Sequence, residues 1–262
     1  MIRVKHIAEY VECLTGHGLN PDEGVQYGSS ERPIKKVIVC WMATSSALKE
    51  AGKSRSDLVI AHESLYYPYN ASLRENVPAS WEEWKTNLQR TSLLKEYNLT
   101  FMRIHGSLDE ICIFDDFAKQ LGLGEAVETD GLAKVYLIPS CTLRTLVEQV
   151  KKRIGIRNVR VSAPRGMGQK VEKVGLPWGG LGLFVNVAYQ QKLIDRGCDV
   201  FIAGESDEYG FLFSSECGIP MIETSHVISE NVGLQHFAGM LNDQFPQIEV
   251  KFYRTQCPWR VT

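Results

Sequence analysis

The fold is decided by the stretch Asp57-Leu58-Val59-Ile60-Ala61-His62-Glu63-Ser64 and by its second occurrence, Asp199-Val200-Phe201-Ile202-Ala203-Gly204-Glu205-Ser206. The two align without gaps and share Asp, Ile, Ala, Glu and Ser, five of eight positions. In each, four apolar residues in a row read as a short strand covered on both faces, the pattern of a parallel sheet. Each copy is preceded by an apolar strand and a short helix. Each leads through another helix to a further strand that ends in His-x-x-x-acid: His105-Gly106-Ser107-Leu108-Asp109 in the first, His226-Val227-Ile228-Ser229-Glu230 in the second. Buried α/β units resemble one another by composition, so one short match carries little. A second match in the same order argues for an internal duplication, with two similar α/β halves over residues 1–125 and 126–262.

Outward from this stretch, strands and helices alternate, which defines an α/β protein with a largely parallel sheet. Val4, Ile7, Ala8, Val11 and Leu14 fall at helical spacing, closed by Gly16 and Gly18. Strands are expected at 37–41, 99–104, 134–138, 157–161, 183–187, 220–222 and 248–253. Helices are expected at 45–51, 111–121, from Thr142 to Val150, at 189–196, at 209–217 and through Leu234, Phe237, Ala238 and Leu241. Ser80 and Glu83 form a capping box that should open a long helix through Trp84, Leu88, Leu94 and Tyr97. Residues 162–182, rich in Gly, read as a loop.

The chain has 262 residues with 29 Lys and Arg against 31 Asp and Glu, a net charge of -2. No positive excess exists for binding a polyanion, so nucleic acid is not an expected partner. The 44% hydrophobic content is that of an ordinary globular protein and excludes disorder. The seven cysteines form no C-x-x-C pair, so a thiolate zinc knuckle is not expected, and their odd, scattered placement suits a reducing compartment. Residues 1–7 lack the apolar core of a signal peptide, and no apolar run is long enough to span a membrane. A cytoplasmic protein without membrane association is the expectation.

In open α/β sheets, ligands bind outside the carboxyl ends of the strands. Of the six histidines, His62, His105 and His226 follow apolar strands, and each brings an acid: Glu63, Asp109 and Glu230. A four-residue spacing puts both side chains on one face of a helical turn. Imidazole with carboxylate suits zinc, iron, manganese or nickel. Gathered carboxylates repel unless cations neutralise them, and bridging carboxylates hold ion pairs about 3.5–4 Å apart. A lone histidine after a strand is usually a packing residue; three in equivalent places, each with an acid, favour a ligand cluster. His6, His17 and His236 lack this context. Asp115-Asp116 reads as a solvated helix face, and Trp81 and Trp84 as core. Gly179-Gly180-Leu181-Gly182 precedes its strand, unlike a dinucleotide fingerprint. Ser64 and Ser206 lack a nucleophile elbow. A plain nucleotide binder without metal stays open.

These residues resemble a known family. Leu58-Val59-Ile60-Ala61-His62-Glu63-Ser64-Leu65 is similar to its strand ending in His-His-Pro-Leu, and His105-Gly106-Ser107-Leu108-Asp109 to its His-Thr-Asn-Leu-Asp. Gly204-Glu205 and Ser225-His226-Val227-Ile228-Ser229-Glu230 resemble its Gly-Glu and Gly-His-Tyr-x-Ser-Glu, and Glu23-Gly24-Val25-Gln26-Tyr27-Gly28 its N-terminal turn. The family is the NGG-one-interacting-factor-three-like group, some members of which are named GTP cyclohydrolase one type two. The resemblance runs from about residue 20 to 250. It implies two intertwined, duplicated three-layer α/β/α domains with mostly parallel mixed sheets, assembled as a homohexamer, with a pair of divalent ions between the halves. The implied ligands are His62, Glu63, Asp109, His226 and Glu230, with His105 beside them.

The departures are chemical. Glu63 stands where the family has a second histidine, Glu208 and Tyr209 where it has His-His, Met42 where an Asp is frequent, and Gly106-Ser107 for Thr-Asn. Glu for His hardens the donor set, tilting the choice of one or two ions from zinc toward iron or manganese. The expected function is metal-dependent hydrolysis of a small nucleotide-like or phosphorylated substrate, with Glu230 bridging and His105 or Glu208 as general acid or base. The alternative is a non-enzymatic metal-handling or metal-responsive interaction protein, whose partner would be a metal acceptor rather than a substrate.

Overall fold

Strands and helices alternate along the chain in the computed structural model, which describes residues 1–73 and 77–260. In order the main elements are α1 (Val4–Thr15), β1 (Gly24–Tyr27), β2 (Lys36–Cys40), α2 (Ser45–Lys53), β3 (Leu58–Ala61), α3 (Lys85–Glu96), β4 (Thr100–Arg103) and the single turn α4 (Gly106–Leu108). They continue with α5 (Phe114–Leu121), β5 (Glu128–Asp130), β6 (Ala133–Thr142), α6 (Leu143–Ile154), β7 (Arg160–Ser162), β8 (Lys170–Gly175), α7 (Val187–Asp195), β9 (Val200–Ala203), α8 (Glu208–Glu216), β10 (Met221–Glu223), α9 (His226–Gln244) and β11 (Glu249–Tyr253). They pack into two compact units. The first holds Met1–Cys112 and takes back Gly233–Thr255; the second holds Ile113–Val232 and the chain from Gln256.

The first unit is built on the sheet β1-β4-β3-β2-β11. β11, β2, β3 and β4 run parallel, and β1 closes the edge antiparallel to β4. β3 and β4 are buried at every position, as strands with both faces covered must be. Leu48 and Ala51 of α2 and Leu94 of α3 pack on Val59, Ala61 and Phe101. Asp57 fixes the entry to β3: its Oδ2 accepts the backbone N–H of Lys35 at 2.7 Å and of Lys36 at 3.0 Å. Hydrogen bonds to a charged acceptor contribute about 2 kcal/mol together with the cost of orphaning the donors. Asp57→Ala is therefore expected to lower the unfolding free energy by that amount, read as a lower urea midpoint, and an unchanged midpoint would remove Asp57 from the account.

The second unit is built on the sheet β5-β6-β8-β9-β10-β7. Here β8, β9 and β10 are parallel and the outer strands antiparallel. Phe201 and Ala203 of β9 lie in a core with Val135, Leu193 and Met221. Thr142 opens α6 as expected, its Oγ1 accepting the Thr145 N–H at 3.2 Å. Both units are thus α/β with mixed sheets. Among the described residues no helix is long and apolar enough to cross a membrane.

Four local expectations are corrected. The long helix starts at Lys85, not at Ser80: Ser80 is left-handed and makes no side-chain cap, and Trp84 is extended, which breaks the chain into a 3-10 turn and α3. Trp81 is core, but Trp84 is 40% exposed. Residues 183–187 form a 3-10 turn leading into α7 rather than a strand. The place in the sheet is taken by β8, inside the stretch expected to be a loop.

Candidate metal centre

In the first unit the donors sit where β3 and β4 end. His62 and Glu63 follow β3 directly and are 1% and 4% exposed. His105 follows β4 and begins α4, and Asp109 comes one turn later, at the start of a π-helical turn. His62 Nε2 lies 3.8 Å from Asp109 Oδ1. His62, Glu63 and His105 offer ligand atoms within 4.8 Å of one another. All four expected residues of this unit therefore converge.

Behind them is a polar network that the sequence did not announce. Arg103, fully buried at the end of β4, donates from Nε to the His62 carbonyl at 3.1 Å and from Nη2 to the Tyr69 hydroxyl at 2.7 Å, and pairs through Nη1 with Asp22 at 2.9 Å. The Asp22 carboxylate also meets His105 Nδ1 at 2.9 Å. With Nδ1 donating to Asp22, Nε2 is the acceptor for the Tyr69 hydroxyl, 3.2 Å away. The His105 N–H and the Arg103 charge hold the Asp22 carboxyl below the usual carboxylate range. Burial and the nearby Glu63 charge push the Tyr69 phenol up to about 12. Glu23 secures the turn after β4: its Oε1 accepts the backbone N–H of His105 at 2.7 Å and of Ser107 at 2.9 Å.

In the second unit, His226 is the first residue of α9 and Glu230 sits one turn on. Nε2 of His226 is 3.0 Å from Glu230 Oε1, and its Nδ1 is 3.0 Å from Glu205 Oε2. Glu230 is 2% exposed. The pair is wrapped by the Gly179-Gly180 turn, whose Gly179 N–H donates to Ser229 Oγ at 3.0 Å. Gly179 has φ +51°, and a Cβ there would overlap the Glu230 carboxylate. Gly204 is equally constrained, because a Cβ there would run into the Gly179 backbone. Gly179 thus makes room for the Glu230 carboxylate, and Gly204 for the Gly179 backbone. Glu208, the other expected acid–base residue, is the exposed first residue of α8.

Both units are α/β layers that present imidazoles and buried carboxylates beyond the carboxyl ends of parallel strands, and this defines a protein with candidate divalent-metal ligands. The donors are nitrogen and oxygen only, a set that fits borderline-to-hard divalent ions. The chain belongs to the Duf34/NIF3 (NGG1p interacting factor 3) family, whose profile matches residues 19–258. It is 24% identical over 237 residues to a GTP cyclohydrolase 1 type 2 homolog of Chlamydia muridarum, covering 86% of this chain and 84% of that one. The crystal structure of a Bacillus cereus protein related to NIF3 superposes with a TM-score of 0.82 at 13% identity, covering 100% of this chain and 99% of that one. Reduced HcgD from Methanocaldococcus jannaschii gives 0.74 at 19% identity over 96% and 97%.

Proposed function

We propose that the chain is a divalent-metal-dependent hydrolase for a small nucleotide-like or phosphorylated substrate, with His62, Glu63, Asp109, His226 and Glu230 as ligands to one or two ions. The observation that carries this reading is the burial of carboxylates beside imidazoles: Glu63 at 4% exposure and Glu230 at 2%. A carboxylate taken out of water must be protonated, paired or bound to a cation. The three acids in the donor set favour iron or manganese over zinc. When bound, such an ion supplies a lowered pKa for a coordinated water and polarises a phosphoryl or ring-carbon centre. His105, oriented by Asp22, holds or accepts a proton at Nε2, with Glu208 as the second acid–base candidate. The name GTP cyclohydrolase 1 type 2 homolog carried by relatives supports a nucleotide-like substrate class.

The test is hydrolysis of nucleotides and phosphoesters by metal-loaded protein. His62→Ala and Glu230→Ala are each expected to lower the rate by at least about a hundredfold, since losing even a group that only supports a metal ligand costs about 10–100-fold. Activity that survives loss of the metal in these variants would refute the mechanism. Metal that binds in a closed shell and passes rapidly to an acceptor, with no turnover, would instead favour metal handling.

Duplication is part of the same reading. Asp57 and Asp199 play one role in two places: Asp199 accepts the backbone N–H of Glu172 at 3.1 Å and of Lys173 at 3.0 Å, as Asp57 does for Lys35 and Lys36. Ile104 N–H donates to Ala61 at 3.0 Å, and Thr224 N–H to Ala203 at 2.9 Å. β8 supplies a further sequence match, Lys36-Val37-x-x-x-Trp41 against Lys173-Val174-x-x-x-Trp178. The registers Ala61↔Arg103 and Ala203↔Glu223 put His226 one residue later than His105, and Ser225 at φ 97° takes up the extra residue. The family resemblance further suggests a homohexamer in the cytoplasm; light scattering is expected to return six chain masses, and a monomer would refute that assembly.

A further inference from the structure

The carboxyl ends of β8, β9 and β10 carry three side chains that the reading above does not use. Phe184 and Tyr209 are 51% and 66% exposed, and their ring centroids are 5.4 Å apart. They are held in place. The Phe184 N–H donates to both oxygens of Asp207 at 3.2 Å, and the same carboxylate caps α8 by accepting the Gly210 N–H at 2.7 Å. The third is Arg160, which faces Glu223 in the pairing of β7 with β10. Its Nε pairs with the buried Glu223 carboxylate, its Nη2 donates to the Ser206 carbonyl at 2.6 Å, and its guanidinium lies over the Phe211 ring at 5.2 Å. The Arg160 side chain nevertheless stays 48% exposed.

These groups meet on one short segment. Glu205 bonds His226, Ser206 holds Arg160, and Asp207 holds Phe184. The position, beyond the carboxyl ends of parallel strands, is where α/β sheets bind ligands. We propose that Phe184, Tyr209 and Arg160 form a recognition subsite for a planar ring that carries an anionic group, the chemistry of a nucleoside phosphate. The proposal rests on the hydrolase reading and names the groups that select its substrate. Aromatic faces stack on any base, and a fixed guanidinium pairs with phosphate through two parallel N–H bonds. Glu205, Asp207 and Glu208 would repel an anion here, so an anionic ligand needs a fixed cation. Arg160 provides one: Glu223 holds its Nε, the Ser206 carbonyl holds its Nη2, and the side chain so fixed stays about half exposed.

The test is equilibrium titration of the full chain with guanosine monophosphate, guanosine and ribose phosphate, with metal content measured on the same samples. Wild type is expected to bind guanosine monophosphate more tightly than either fragment. The double variant Phe184→Ala/Tyr209→Ala is expected to lose about tenfold in affinity for guanosine monophosphate and guanosine, and nothing for ribose phosphate. Arg160→Ala/Glu223→Gln, which removes both members of the ion pair and strands no buried charge, is expected to lose about tenfold for the two phosphorylated probes only. Arg160→Lys keeps the charge without the fork and is expected to show a smaller loss of the same kind. Affinities that ignore all three side chains in metal-loaded protein would overturn the subsite and leave the metal reading standing. Nucleotide binding that follows these residues in protein without metal would contradict the metal reading alone. A change in oligomeric mass on Phe184→Ala/Tyr209→Ala with unchanged affinities would assign the aromatic pair to an interface between copies and overturn the proposal.

Discussion

Arg103→Met is expected to lower the unfolding free energy by about 3–5 kcal/mol, the scale of removing one partner from a buried ion pair. Arg103 is fully buried and has contacts on every edge of its guanidinium: the His62 carbonyl, Asp22, Asn70 and the Tyr69 hydroxyl. Methionine fills much of the volume but donates nothing. It leaves the Asp22 carboxylate facing its own unit's acids without the buried positive charge, and it orphans the His62 carbonyl. The cost is therefore mainly that of leaving Asp22 with the His105 N–H but no buried cation, rather than of lost packing. Arg103→Met/Asp22→Asn is accordingly expected to recover part of the loss. Denaturant unfolding of the two variants measures both numbers. A single variant within about 1 kcal/mol of wild type, well below the buried-pair scale, would show that the network carries no such load.

The second large effect is expected at Gly179. Gly179→Ala meets two obstacles: a positive φ that L-residues adopt reluctantly, and a Cβ that would overlap the Glu230 carboxylate and come 3.3 Å from His226 Nε2. Gly166 separates them. It also has positive φ, +77°, but a Cβ there meets nothing within 4 Å, so Gly166→Ala reads the backbone cost alone. That cost is about 1 kcal/mol. Gly179→Ala is expected to show it and, in addition, a loss of metal affinity of about 10–100-fold, because the carboxylate and imidazole must both move aside. Metal titration of the two variants checks this. Equal metal affinity in Gly179→Ala and wild type would mean that the turn does not shape the donor pair.

What the sequence made legible follows from how local each signal is. β3 and β9 are continuous apolar runs and were readable at once, and with them the histidines and acids that follow the strands. Glu230 was readable because a helix fixes its distance from His226. β8 was not, because Lys170-Val171-Glu172-Lys173-Val174-Gly175 turns charged residues outward and lies among glycines and prolines. Residues 183–187 mislead in the opposite sense, since Phe184 and Val185 face solvent, Val185 at 82% exposure. Asp22 and Glu23 reach His105 from more than eighty residues away, and no local pattern encodes such a contact. Arg103 carries a hint, a charged residue closing an otherwise uncharged strand.

The most direct test of the central claim is the divalent-metal content of protein purified without a metal-binding tag. The account expects one or two ions of iron, manganese or zinc per chain, lost on His62→Ala/Glu230→Ala while the fold persists. Wild-type protein that stays free of metal when offered each of these ions, and still binds nucleotide, would contradict it and leave a plain nucleotide-binding α/β protein in its place.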